Sequence, residues 1–212
     1  MKKLFAVAIL AVMTLSANAQ DFKKFRFGPT VGLNIATTTD AVVGSRVGFS
    51  VGALAEYNFT DNFFMTGALK FSQKGGKYDE ALAGVVVKNS ANPGYIELPI
   101  HAGYRYSFGQ FSIFGEFGPY LAVGVCGKAK MEALGQERSI DYFGDPSDPD
   151  DNSAGVKRFD FGLGVAAGAE YKKCQLRIGY DFGLTGLENY DVPAPFKKSK
   201  NRNFYVALSY MF

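Results

Sequence analysis

Apolar residues recur at every second position in eight segments of this chain, and within each segment the alternate row is unbroken. The rows run from Phe25 to Ile35, Val47 to Phe59, Phe63 to Phe71, Ile96 to Phe108, Phe111 to Val125, Phe159 to Tyr171, Leu176 to Leu184 and Phe204 to Phe212. They hold fifty positions in a chain that is 20% charged, and not one of the fifty is charged. Period-two alternation places the two rows on opposite faces of a strand, so the pattern predicts eight strands. The stretches 60–62, 109–110 and 172–173 are short enough to be tight turns, whereas 36–46, 73–94, 127–157 and 185–202 are longer. Short and long connections alternate, as in an antiparallel meander.

Alternation alone does not say which row points inward. A soluble barrel of the lipocalin type would bury the apolar row and turn the other to water. Here the other row carries Gly28, Gly32, Gly48, Gly52, Gly103, Gly118, Gly124, Gly162, Gly164, Gly168, Gly179 and Gly183. That is the pattern of a crowded interior, and most of the lysines lie in the connections instead. An apolar exterior around a polar, glycine-thinned interior predicts an all-β fold, an eight-stranded antiparallel transmembrane β-barrel with short periplasmic turns and longer extracellular loops. Aromatic residues near the turns, among them Tyr57, Phe63, Tyr104, Phe108, Phe111 and Tyr171, would form a periplasmic interfacial girdle.

Composition adds the compartment. Lys2 and Lys3, the apolar run Leu4–Leu15 and Ala17-Asn-Ala19 before Gln20 read as a secretory signal peptide over 1–19, leaving a barrel domain over 20–212. The apolar run falls short of the roughly 20 residues a transmembrane helix needs. Removing 1–19 leaves 21 Lys and Arg against 20 Asp and Glu, a balance that gives no reason to expect a nucleic-acid partner. A mean hydropathy of −0.03 suits a barrel whose lipid-facing and lumen-facing residues cancel. Cys126 and Cys174 are too few for a disulfide framework. They are expected to stay free, since one falls at the outer end of its strand and the other at a periplasmic turn.

The closing stretch Phe204-Tyr-Val-Ala-Leu-Ser-Tyr-Met-Phe212 resembles the C-terminal strand of bacterial outer-membrane barrels. Tyr95-Ile-Glu-Leu-Pro-Ile100, Gly118-Pro-Tyr-Leu121 and Phe159-Asp-Phe-Gly-Leu163 are similar to the PorT-like outer-membrane β-barrel domain family, over roughly residues 22–212. The resemblance implies residence in the outer membrane of a Gram-negative bacterium. By analogy with the protein that gives the family its name, it also implies an accessory role in a secretion system.

The inward row holds Arg26, Arg46, Lys70, Arg105, Arg158 and Arg177 against Glu56, Glu97, Glu116, Asp160, Glu170 and Asp181. Buried charges need partners, so the set reads either as a self-neutralising plug or as an ion path. Pairing Phe108 with Phe111 sets Gly103 opposite Glu116 and makes Arg105 its diagonal neighbour. Pairing Tyr171 with Cys174 likewise makes Glu170 the diagonal neighbour of Arg177. His101, the single histidine, lies near Glu97 and Glu116, as a general base would or as a hydrogen-bonded core residue would. Pro99 and Pro119 interrupt neighbouring strands, where a bulge is expected.

Asp148, Asp150 and Asn152 have the spacing of a calcium loop, but Ser153 and Phe159 occupy the glycine and glutamate positions that loop requires. Lys197, Lys198, Lys200 and Arg202 form a basic loop end suited to lipopolysaccharide phosphates. No residues are assigned as catalytic, cofactor-binding or metal-binding, and no cofactor is expected. The expectation is a monomeric, non-enzymatic outer-membrane protein that meets lipid, lipopolysaccharide or an unidentified protein partner through its outer loops. A narrow channel, a barrel enzyme and a secretion accessory are the alternatives.

Overall fold

A computed structural model describes residues 24–39, 44–82, 85–133, 136–145, 152–190 and 198–212. The described chain forms thirteen strands: β1 (Phe25–Thr38), β2 (Gly44–Asn58), β3 (Phe63–Gln73), β4 (Gly76–Leu82), β5 (Val85–Ala91), β6 (Gly94–Phe108), β7 (Phe111–Cys126), β8 (Lys128–Ala133), β9 (Gln136–Phe143), β10 (Ser153–Val156), β11 (Phe159–Tyr171), β12 (Cys174–Gly183) and β13 (Asn201–Tyr210). Eight of them pair antiparallel in the order β1, β2, β3, β6, β7, β11, β12, β13, and β13 returns to β1, so the barrel is closed. These are the eight segments the alternation picks out. Closure leaves no open strand edge inside the hydrocarbon.

The apolar rows face outward. Phe49, Ile100, Phe117 and Leu208, one from each of four strands, are all exposed. Both hairpin registers follow the turns, with Phe108 opposite Phe111 and Tyr171 opposite Cys174. Around the turn end the outward aromatics touch. Phe63 meets Tyr104 edge-on at 5.0 Å, Phe108 lies 5.0 Å from Phe111, and Phe27 lies 5.8 Å from Phe212. The Phe212 N–H donates to the Phe27 carbonyl at 2.9 Å, locking the last residue onto the first strand.

Two expectations fail. The stretches 73–94 and 127–157 are not plain loops, because they carry β4, β5, β8, β9 and β10. These strands form a second sheet that continues from β2 beyond the outer end of the barrel. Their sequences lack the long alternating apolar row that marks the barrel strands.

The prolines cause no bulge either. Leu98 still pairs Leu121 and Ala102 still pairs Phe117, and the one register shift between β6 and β7 lies at Gly94 and Tyr95. Gly118 explains the regularity. A Cβ there would sit 2.1 Å from the Ile100 carbonyl and 2.7 Å from the His101 Cα, so its absence lets the two backbones close up beside Pro119. Among the described residues both cysteines are free. Cys174 pairs with Tyr210 at the turn end, and Cys126 pairs with Gly94 at the other end.

Candidate functional site

Alternation sends the second row of each barrel strand into the lumen, and there the charges stack in three layers. Nearest the turns, Glu56 from β2 is fully buried between Arg26 and Arg105, at 2.5 and 2.6 Å. Arg26 also reaches Glu170, and Gln175 donates to both Glu56 and Glu170. In the middle layer Glu116 meets Arg177 at 2.8 Å, accepts a hydrogen bond from Thr66, and lies 3.4 Å from His101 Nδ1. In the upper layer Glu97 sits between Lys70 at 2.8 Å and Lys74 at 2.7 Å. Lys74 also approaches Asp160 at 3.7 Å and lies 4.5 Å over the Tyr120 ring. Asp160 further accepts from Tyr120 and Asn201, and Asp181 accepts from Asn203.

The two diagonal pairs expected from the hairpins do not form. Arg105 pairs with Glu56 rather than Glu116, and Glu170 pairs with Arg26 rather than Arg177. The lumen of an eight-stranded barrel is narrow enough for side chains to fill, so a guanidinium selects partners at its own height across the lumen. Phe114 reinforces the separation, since both Arg105 and Arg177 lie over its ring, at 5.8 and 5.1 Å. Arg46 and Arg158 leave the acid set and donate to the backbone carbonyls of Ala91 and Gly124.

Lys74 is the residue that the sequence reading leaves in a connection. It continues the inward parity of Lys70 and Ser72, and that parity was the available signal. His101 is buried, and its Nε2 has no hydrogen-bond partner among the described residues. The cavity beside it, also lined by Thr30 and Ser50, is about 30 Å³. That is room for a water or two, not for a substrate.

Above the lumen the end of β9 folds into the barrel mouth. Tyr142 and Phe143 join Tyr95, Tyr120 and Ala122 in one buried cluster. Phe143 stands edge-on to Tyr95 at 5.4 Å, with the Arg158 guanidinium 5.3 Å from its ring. Its seat is provided by Gly124, where a Cβ would lie 2.2 Å from the ring. Outside this plug the second sheet, together with Leu187, Glu188, Tyr190 and Ser199, lines an open cup of about 280 Å³.

Of the outer basic residues, Arg202 donates to the Gly183 carbonyl at 2.9 Å and packs over Phe182. Lys198 donates to the Glu188 carbonyl. Lys197, Asp148 and Asp150 lie outside the described residues, as does the segment 1–19.

The family described as outer membrane protein beta-barrel domain matches residues 17–189. No curated protein matches the chain. Among solved structures, Ail, the attachment invasion locus protein of Yersinia pestis, is 14% identical with a TM-score of 0.45, over 89% of this chain and 99% of that one. Neisserial surface protein A is 16% identical with a TM-score of 0.43, over 88% of this chain and 97% of that one. The outer membrane protein OprG of Pseudomonas aeruginosa is 10% identical with a TM-score of 0.43, over 89% and 95%.

Proposed function

Because the chain belongs to the outer membrane protein beta-barrel domain family, we propose that it is a non-enzymatic surface protein of the bacterial outer membrane, in which it resides. The carrying observation is the contrast between a lumen filled by three layers of paired charge and a second sheet standing beyond the barrel with an open cup. A plugged lumen passes no solute, whereas the projecting sheet presents polar surface to whatever the cell meets. His101 takes no catalytic role in this reading, because its cavity admits no substrate. Lys200 and Arg202 lie at the outer end of β13 and suit lipopolysaccharide phosphates. The chain works as a monomer after loss of residues 1–19.

Planar-bilayer recording on purified, reconstituted protein tests the reading. The expected trace shows no stable conductance steps, and steps of porin size would overturn it in favour of a channel. Lipid and peptide hydrolysis assays of the wild type and His101→Ala should both give background rates. The PorT-like resemblance of Tyr95–Ile100 and Gly118–Leu121 supports one further reading, an accessory role in a secretion apparatus. Co-purification with components of an export machine from the native membrane would favour it.

A further inference from the structure

The charges of the lumen do not balance in every layer. Near the turns Arg26 and Arg105 answer Glu56 and Glu170, and in the middle Arg177 answers Glu116. The upper layer holds three carboxylates, those of Glu97, Asp160 and Asp181, against the ammoniums of Lys70 and Lys74. Both lysines lie against Glu97, and Lys74 also reaches Asp160. Asp181 is left over. It is 2% exposed, accepts a hydrogen bond from Asn203, and has no ion-pair partner among the described residues. A carboxylate removed from water in this way calls for a positive charge.

His101 is the group placed to supply one. It too is 2% exposed. Its Nδ1 lies 3.4 Å from Glu116 Oε1, and a carboxylate only accepts, so Nδ1 carries the proton of the neutral ring. Nε2 is then a bare lone pair, buried and without a partner among the described residues. Both unmet groups stand at one hollow. A Cβ on Gly164 would lie 2.8 Å from His101 Nε2 and 2.9 Å from Asp181 Oδ1. The missing side chain thus lets the ring and the carboxylate approach the same patch of β11, acceptor beside acceptor with no donor between them.

The other charged groups around the ring are already engaged. Lys70 on β3 is held by Glu97, which lies on the same strand as His101, and Arg177 on β12 is held by Glu116. Asp160 takes Lys74, Tyr120 and Asn201. The cavity of about 30 Å³ beside His101 has Lys70, Arg177 and Tyr205 in its lining, but neither Gly164 nor Asp181. A donor that needs no cavity between the two acceptors is a proton.

We propose that His101 and Asp181 form a proton-binding site in the lumen. A proton from water adds to the Nε2 lone pair and the ring becomes an imidazolium. Nε2–H then donates to Asp181 Oδ1 while Nδ1–H keeps Glu116. The carboxylate torsion is soft, so Oδ1 turns onto the ring at little cost. The imidazolium supplies the missing positive charge and ties the middle layer to the upper one, so acidification latches the plug. This site lies in the lumen, beyond the surface role proposed above. Conductance tests that role, and ring protonation tests the site.

His101 is the single histidine, so its ring nitrogens are observed without overlap. The experiment is two-bond proton–nitrogen correlation NMR on the folded full-length barrel, without a histidine tag, in detergent micelles from pH 8 to pH 5. At pH 8 Nδ1 should be protonated and Nε2 bare, and at pH 5 both should be protonated. Asp181→Asn removes the waiting charge and should lower the midpoint of proton uptake by about 1–3 pH units. Gly164→Ala leaves every charge in place but wedges a methyl between ring and carboxylate, and should lower the midpoint too. Gel mobility before and after heating shows that each variant is folded. If Asp181→Asn does not fold, the wild-type titration and Gly164→Ala decide. A ring that stays neutral at pH 5, a bare Nδ1 at pH 8, or an unchanged midpoint in either folded variant would overturn the proposal.

Discussion

Glu97 and Glu137 are both glutamates in contact with lysine, at 2.7–2.8 Å and 2.6 Å, and there the likeness ends. Glu97 lies in the lumen with no exposed side-chain surface and holds two lysines. Glu137 lies on the outer hairpin, 55% exposed, and its partner Lys130 is 45% exposed. In the lumen a charge removed from water must be answered by another, so each ion pair is a structural commitment. On the outer sheet water screens the pair, and its charges stay available to whatever approaches. The barrel's interior charge is thus committed to buried pairs, whereas the charge at its outer end stays in water.

The comparison breaks most visibly at Glu97. Glu97→Ala removes the ion pair of Lys70 and leaves Lys74 with only Asp160 at 3.7 Å, and should cost about 3–5 kcal/mol of stability. Urea unfolding of the barrel in lipid vesicles measures this. A loss below about 1 kcal/mol would mean that water reaches the upper layer. Next comes Gly118→Ala, where the new Cβ meets backbone on β6 at 2.1 and 2.7 Å, so about 1–3 kcal/mol is expected. Gly115→Ala, four ångströms or so from its nearest neighbour at 3.9 Å, is the control and should be nearly silent in the same assay.

Much of this arrangement was legible in the residue order, for a physical reason. Lipid tolerates no charge, so the rows from Phe25 to Phe212 carry an uninterrupted signal of which face is outside. Tight turns also fix register, which is why Phe108 opposite Phe111 and Tyr171 opposite Cys174 followed directly. Contacts across the lumen are a different matter. Parity says that Arg105, Glu116, Glu170 and Arg177 point inward, but partners there depend on height and on which ring stands between, here Phe114. The second sheet was hidden for the opposite reason. A strand such as β8, Lys128-Ala-Lys-Met-Glu-Ala133, is exposed along most of its length and has no apolar row to announce it. The cup therefore could not be read from sequence, since its lining depends on that sheet and on Leu187, Glu188, Tyr190 and Ser199.

A smaller effect sharpens the point about height. A double-mutant cycle with Glu116→Gln and Arg177→Gln should show coupling of about 0.5–3 kcal/mol, whereas Glu170→Gln with Arg177→Gln should be additive to about 0.5 kcal/mol. Equal coupling in both cycles would indicate that Gln175, which touches Arg177 and Glu170 at 3.2 and 2.9 Å, transmits between the layers. Smallest of all is Lys130→Ala on the outer hairpin, expected below about 1 kcal/mol and shrinking further at high salt. A larger loss in the same unfolding assay would show that the outer sheet is braced by its charges after all.

The seat of Phe143 sets an order of events. The hollow at Gly124 exists only once β7 lies between β6 and β11, with Tyr95 and Arg158 brought up on either side. The β8–β9 hairpin therefore has nothing to dock into until the membrane-spanning wall is assembled around it, and its capture is a late step of maturation. Protease cleavage within the outer hairpin should cease only after the barrel has acquired its compact gel mobility. Protection arriving earlier would show that the surface sheet organises itself without the wall beneath it.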